Sequence, residues 1–364
     1  MNYIEPKFEY TQNNHFKWGY GDYWYNNPNA SEQFKVHLGY CTRAVKSFRE
    51  ECINAATLIA KNATKPIIVG LSGGADSQIV CLSLREAKIP YSAVIVRLYD
   101  KDNDLINEHD IKTAYKFCEV YDVQYIEHHI NIDEFYKGPG LEFSKKYGFS
   151  LLETLIQCST MDFVGKDYCY IMGGGDVLYV PYYDRQSPGT NKPRLQFNPT
   201  VVVASWIQKS NPIMQHMVEM GYEGTSKFFM YTPELIAAYV CDPVSLDFVK
   251  AQDVIYTAYM FWHKDPAMLW RCYQLMHKPL LIMREWPEII PARKYTGFEQ
   301  LSGVMKGKYY KAEKLPIVEL RKVVSESAGD KVRGQAVVLT IPELIEYITT
   351  PHENSLAATP WISL

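Results

Sequence analysis

The sequence predicts an α/β fold, a parallel sheet with helices on both faces, followed by a mainly helical C-terminal region. Three observations carry this. Residues 66–172 alternate short β-branched runs with stretches of helical period, the pattern of strand–helix–strand crossovers. The first run, PIIVGL from Pro66 to Leu71, is almost wholly apolar and bounded by Pro before and Gly-rich sequence after, as suits a strand buried on both faces. With 364 residues, 47% hydrophobic and 22% charged, the chain can bury a large core, which excludes a mostly disordered protein.

Residues 1–40 are rich in aromatics, Asn and Gly (FKWGYGDYWYNNPN) and read as an arm of short strands or loops. From about Val36 to Lys61 the apolar residues Leu38, Ala44, Phe48, Cys52, Ala55 and Leu58 follow a helical pattern. After the strand at 66–71 the expected order is helix 77–87, strand 92–98, helix 108–121, strand 124–130, helix 151–164 and strand 167–172. Sheets of this kind bind ligands beyond the carboxyl ends of their strands, which directs attention to the loops after Leu71 and Met172. Residues 181–200 concentrate Pro, Gly, Asn and Thr and read as a long loop of the sort that forms lids. Residues 210–350 read as largely helical, with two start signals, TPELI at Thr232 and IPELI at Ile341, that helix capping explains without an internal repeat. A loose tail is expected from Pro351. The resulting division is an arm and helix over 1–62, an α/β domain over 63–200, a helical region over 201–350 that completes the site, and a tail over 351–364.

Lys and Arg number 38 against 41 Asp and Glu, a net charge of −3, so no global basic field attracts nucleic acid. The N-terminus has no apolar signal region and no apolar run reaches membrane-spanning length, so a soluble, cytoplasmic protein without membrane partners is expected. Eight cysteines are scattered with no C-x-x-C pair, which removes the usual support for zinc-ribbon or dithiol chemistry; buried reduced thiols such as Cys81 are expected instead. His128 and His129 are adjacent on a predicted strand, point to opposite faces and cannot jointly chelate one ion.

The chemistry lies in Ser72-Gly73-Gly74-Ala75-Asp76-Ser77, between the first strand and its helix. Two adjacent glycines admit backbone conformations closed to other residues and let a ligand approach the main chain. Successive N–H groups of the turn and the first N–H groups of the helix form a concave oxyanion site. The hydroxyls of Ser72 and Ser77 add donors, and the Asp76 carboxylate suits a Mg²⁺ that accompanies phosphates. Neither G-x-x-x-x-G-K-[ST] nor G-x-G-x-x-G occurs, so the cradle is of another kind than those of the common NTPases and dehydrogenases.

S-G-G-x-D-S after a first strand resembles the PP-loop of the ATP pyrophosphatase superfamily, most of all the synthetase domain of asparagine synthetase-type enzymes. The resemblance implies an adenine nucleotide α-hydrolase-like (HUP) fold, with ATP and Mg²⁺ bound on Ser72, Gly73, Gly74, Asp76 and Ser77 and cleavage between the α- and β-phosphates. It implies adenine contacts at Leu71 and Val96. It gives Gly173, Gly174 and Asp176 of the second Gly-rich run (IMGGGD) the place of that family's G-x-G-x-D-E loop, with Asp176 either a metal ligand or the cap of the following turn. Gly174 stands where the family tends to have an acid, and Val177 where it has Glu. Arg97 either reaches a phosphate or acceptor carboxylate or pairs with Asp100 or Asp102.

Enzymes of this type draw a cation for the developing phosphorus charge from their C-terminal part; Lys294 is the first candidate, then Arg293, then Lys306 and Lys308. The glutaminase domain that precedes the loop in glutamine-dependent relatives is not in these 364 residues, so ammonia, an amine or a separate glutaminase is the expected nitrogen donor, with a small-molecule acceptor. Sulfur transfer through Cys158 and Cys169 is disfavoured, since thiolating relatives usually carry paired cysteines. The alternatives are modification of an RNA or DNA base, drawing on Arg185, Lys192, Arg194 and the Arg293 to Lys308 region with Tyr182, Tyr183 and Phe197, and a nucleotide-binding regulatory module without chemistry. An oligomer is compatible with all three.

Overall fold

The computed structural model describes residues 15–20, 34–147, 152–174, 178–184, 196–207, 211–250, 280–291, 335–357 and 359–360. The described chain opens with a hairpin, β1 (Phe16–Tyr20) and β2 (Phe34–Leu38), paired antiparallel from Phe16 opposite Leu38 to Tyr20 opposite Phe34. The helix expected from Val36 therefore starts later, as α1 (Phe48–Asn62), and Val36 and Leu38 belong to a strand. Ser47 sets that start: its side chain accepts from the Glu50 N–H while Glu50 accepts from the Ser47 N–H, a reciprocal cap. Next come β3 (Ile67–Gly70), α2 (Ala75–Glu86), β4 (Tyr91–Tyr99), α3 (Glu108–Tyr121) and β5 (Tyr125–Asn131), all within two residues of expectation. Two short helices that the periodicity does not disclose, α4 (Ile132–Lys137) and α5 (Pro139–Tyr147), precede α6 (Leu152–Val164) and β6 (Cys169–Met172).

The second half holds β7 (Leu178–Asp184), β8 (Gln196–Ile207), α7 (Asn211–Met220), β9 (Glu223–Thr225), α8 (Pro233–Val240) and α9 (Pro243–Lys250). Residues 280–285 are helical, and β10 (Gln335–Thr340), α10 (Ile341–Thr349), β11 (Leu356–Ala357) and β12 (Thr359–Pro360) close the chain. The segment read as a long loop, 181–200, is strand at both of its described ends, with Tyr183 opposite Phe197. The turn-like composition misleads because Pro181 lies on the edge strand of its sheet and Pro199 in an interruption of register, where no ladder hydrogen bond is forfeited. The tail is likewise not loose: β11 pairs with β2 and β12 with β10.

Among the described residues three sheets form, β1-β2-β11, β12-β10-β8-β7 and the parallel sheet β5-β4-β3-β6-β9. In the parallel sheet the chain runs outward from β3 through β4 to β5, then crosses back to β6 and on to β9. α2 touches α3 through Arg85, which donates to the Tyr121 carbonyl, and α6 touches α7 through the Asp162–His216 pair. Ile68, Val69, Ile79, Val80, Ile95 and Ile171 fill the main core, while Leu98, Ile130, Phe135 and Leu155 form a second core beneath α4 and α6. Among the described residues no helix is long and apolar enough to cross a membrane. The seven described cysteines are free thiols, and burial pushes them up, Cys118 to about 11 and Cys41, also under the Glu234 charge, to about 12. Cys272 lies outside the described residues.

Candidate functional site

The strand order reverses between β3 and β6: the connection after β3 leads to one side of the sheet and that after β6 to the other. β3 and β6 run in parallel register from Ile67 opposite Cys169 to Gly70 opposite Met172, so the loops that begin at Leu71 and Gly173 leave the sheet side by side. A crevice at such a reversal is where open α/β sheets bind ligands. Both loops singled out in the sequence therefore meet at one place.

Their packing accounts for the glycines. Gly73 has φ +80°, and a Cβ there would lie 2.3 Å from the Asp110 carbonyl oxygen of α3, so the turn is closed to any side chain. A Cβ on Gly173 would lie 2.9 Å from both the carbonyl carbon of Asp76 and the nitrogen of Ser77, which sets the second loop directly on the first turn of α2. Gly174 is held in turn by the Phe229 N–H, which donates to its carbonyl at 3.1 Å. Gly74 is the N-cap of α2 and offers no side chain to it, so the first N–H groups of a 12-residue helix have no side-chain cap at the crevice. Around them the Ser77 hydroxyl donates to the Gly74 carbonyl at 3.0 Å and stands 3.2 Å from the Ser72 hydroxyl, with Ser72 exposed and Ser77 buried. Asp76 is half-buried in the same first turn.

The oxygen donors Asp76, Ser72 and Ser77 suit a hard cation that arrives with phosphates. Among the described residues no three His, Cys, Asp or Glu side chains gather as a metal site. Leu71 is fully buried and can offer a ligand only its main chain, whose N–H already donates to the Val94 carbonyl at 2.9 Å. The Val96 carbonyl accepts from the Asn107 amide at 2.8 Å, and that same side chain accepts from the Leu98 N–H at 2.9 Å, clamping the end of β4. Asp176, Lys294, Arg293, Lys306, Lys308, Arg185, Lys192 and Arg194 lie outside the described residues.

Two site residues were not legible in the sequence. Asn107 is one. The other is Gln78, fully buried on α2, whose amide donates to the Gly73 carbonyl at 2.8 Å and to the Ile290 carbonyl at 2.9 Å and accepts from the Ile290 N–H at 2.9 Å. The segment carrying Ile290 is further anchored by Arg49 of α1, which donates to the Glu285 carbonyl at 2.7 Å, pairs with Glu288 at 2.7 Å and lies 4.4 Å over the Trp286 ring. Tyr121 of α3 donates to the Glu288 carbonyl at 2.9 Å.

Away from the loops, Arg97 pairs with Glu127 at 3.4 Å, not with Asp100 or Asp102, and donates to Tyr115 at 3.2 Å. His128 stacks on Phe163 of α6, 4.4 Å between centroids, and His129 on Tyr99, so the two imidazoles face opposite sides as the strand requires.

No protein-family model matches the chain, and no curated protein matches it. Among the solved structures that resemble it weakly are the following two. An NH3-dependent NAD synthetase from Campylobacter jejuni, in complex with the nitrate ion, is 15% identical at a TM-score of 0.29, covering 67% of this chain and 98% of its own. The U34-tRNA thiolase NcsA from Methanococcus maripaludis, with its 4Fe–4S cluster, is 16% identical at a TM-score of 0.28, covering 64% of this chain and 80% of its own. Likeness at this level says nothing of chemistry. The functional conclusion rests on the strand order and the two glycine loops.

Proposed function

We propose that the protein is an ATP-dependent, AMP-forming synthetase of the PP-loop kind. It adenylates an acceptor oxygen, that of a carboxylate, releases pyrophosphate and passes the activated group to a nitrogen nucleophile. The observation that carries this reading is the meeting of two glycine loops over a helix N-terminus without a side-chain cap, at the point where the sheet order reverses. Main-chain N–H groups of Gly73 to Ser77 and the two serine hydroxyls bind the phosphate oxygens. Asp76 holds Mg²⁺, which when bound neutralises phosphate charge. Lys294, followed by Arg293, is the cation assigned to charge developing at the α-phosphorus. Ile290, three and four positions before Arg293 and Lys294 in the sequence, is clasped to α2. Ammonia, an amine or a separate glutaminase supplies the nitrogen.

³¹P NMR of the protein with Mg-ATP, ammonium and a fractionated metabolite extract tests the reading. AMP and pyrophosphate that depend on one extract fraction and vanish in Asp76→Asn are expected. ADP and phosphate would overturn the reaction class. Turnover that requires a polynucleotide, with binding that weakens steeply in salt, would replace the small-molecule acceptor by a nucleobase. ATP binding without turnover on any acceptor would leave a regulatory module.

A further inference from the structure

We infer that Gln78 is a positioning residue that couples the shape of the phosphate cradle to the docking of segment 285–291. This rests on the proposed use of the Ser72–Ser77 loop. A trans peptide is planar, so its C=O and N–H point in opposite directions. Every described peptide is trans, and the Gly73 carbonyl is drawn into the interior by the Gln78 amide. The Gly74 N–H of that same peptide is thereby turned outward, where its neighbour is the hydroxyl of exposed Ser72 at 3.4 Å. Gly73, with its left-handed φ, gives the peptide unusual freedom to rotate, so something must select the orientation. Gln78 does so, but only while its own amide is held in place. That hold comes from Ile290, whose N–H and C=O engage the two ends of the side-chain amide.

With the segment withdrawn, a fully buried Gln78 would lose both of these partners, and a buried amide with open hydrogen-bonding capacity rotates or rebonds to recover them. The Gly73 carbonyl is then released and the outward N–H is no longer aimed. One side chain thus joins the cradle to Ile290, which lies 212 positions from Gln78 itself. By linkage, whatever the cradle binds must tighten the segment, and whatever loosens the segment must weaken the cradle.

Hydrogen exchange read by mass spectrometry, with inorganic pyrophosphate as the probe, tests the coupling. In the unaltered protein, pyrophosphate is expected to slow exchange in peptides covering both 72–77 and 289–290; slowing confined to 72–77 would overturn the inference. In Gln78→Met, both regions are expected to exchange faster while the rest of the sheet does not, and pyrophosphate affinity is expected to fall by about tenfold, the effect of one misdirected donor. Unchanged affinity or release of one region alone would overturn it. Should Gln78→Met fail to fold, Arg49→Ala loosens the segment from α1 without touching the loop, and Glu86→Ala, which removes the other partner of Arg49 at the far end of α2, is its control. Weaker pyrophosphate binding and faster exchange at 73–74 are expected there, and a change limited to 285–290 would overturn the coupling. If the unaltered protein bound neither pyrophosphate nor ATP, the proposed function would fall. The two variants would then still decide the coupling by whether both regions loosen together.

Discussion

At the scale of single residues, the loop's demands are steric and electrostatic and can be separated by substitution. Gly73→Ala forces a side chain into a left-handed φ against the Asp110 carbonyl, and a loss of about 1–3 kcal/mol from backbone strain alone is expected in the unfolding free energy from urea titration, more with the clash. Asp76→Asn keeps volume and fold, so the melting temperature should hold while Mg-dependent turnover disappears. Lys294→Ala should depress adenylation more than ATP affinity; a loss of affinity alone in single-turnover kinetics would mark Lys294 as a ground-state contact. The glycines, serines and Asp76 were legible because a turn between strand and helix is a local matter, written in consecutive residues. Gln78 was not, because its partner Ile290 is 212 positions away and a glutamine inside an apolar helical run carries no mark of where its amide bonds. Asn107 was hidden for a similar reason, its amide being spent on the main chain of β4.

At the scale of elements, β5 is the edge of the parallel sheet and carries a pH-sensitive contact. Burial against α6, with a smaller contribution from His129, lowers the His128 pKa to about 4. Between about pH 6.5 and 4 the unfolded chain therefore binds a proton that the folded chain refuses, and stability falls as pH is lowered through that window. His15, half-buried with its ring nitrogen against the Met230 carbonyl, is lowered by desolvation to about 4 as well and acts in the same direction. Urea midpoints at pH 7 and pH 4.5 should differ less in His128→Gln than in the unaltered protein; an equal difference would contradict the assignment. For the long helices and the strands from β3 to β6, element boundaries follow from period and composition. β2 was absorbed into the helix because Val36 and Leu38 continue an apolar pattern of mixed spacing, and β7 and β8 were concealed by prolines at an edge and in a break of register.

At the scale of the whole molecule, the ends of the described chain are stitched to its beginning and middle. β11 lies on β2 and β12 on β10. Ending the chain at Thr350 removes both strands, so a lower melting temperature and concentration-dependent association through the bared edges are expected in calorimetry and size-exclusion chromatography. The parallel sheet and its reversal point could be inferred from alternation and the placement of the loops, whereas the antiparallel sheets depend on pairings between distant strands that no local pattern announces. The same distances order events in time. At roughly 5–20 residues per second of synthesis, the 212 positions between Gln78 and Ile290 correspond to about 10–40 s on the ribosome. Throughout that interval a nascent chain lacks two of the three hydrogen bonds of the Gln78 amide and so the hold on its glycine turn, which makes the crevice one of the last parts of the sheet to mature, after the strands that frame it have been made.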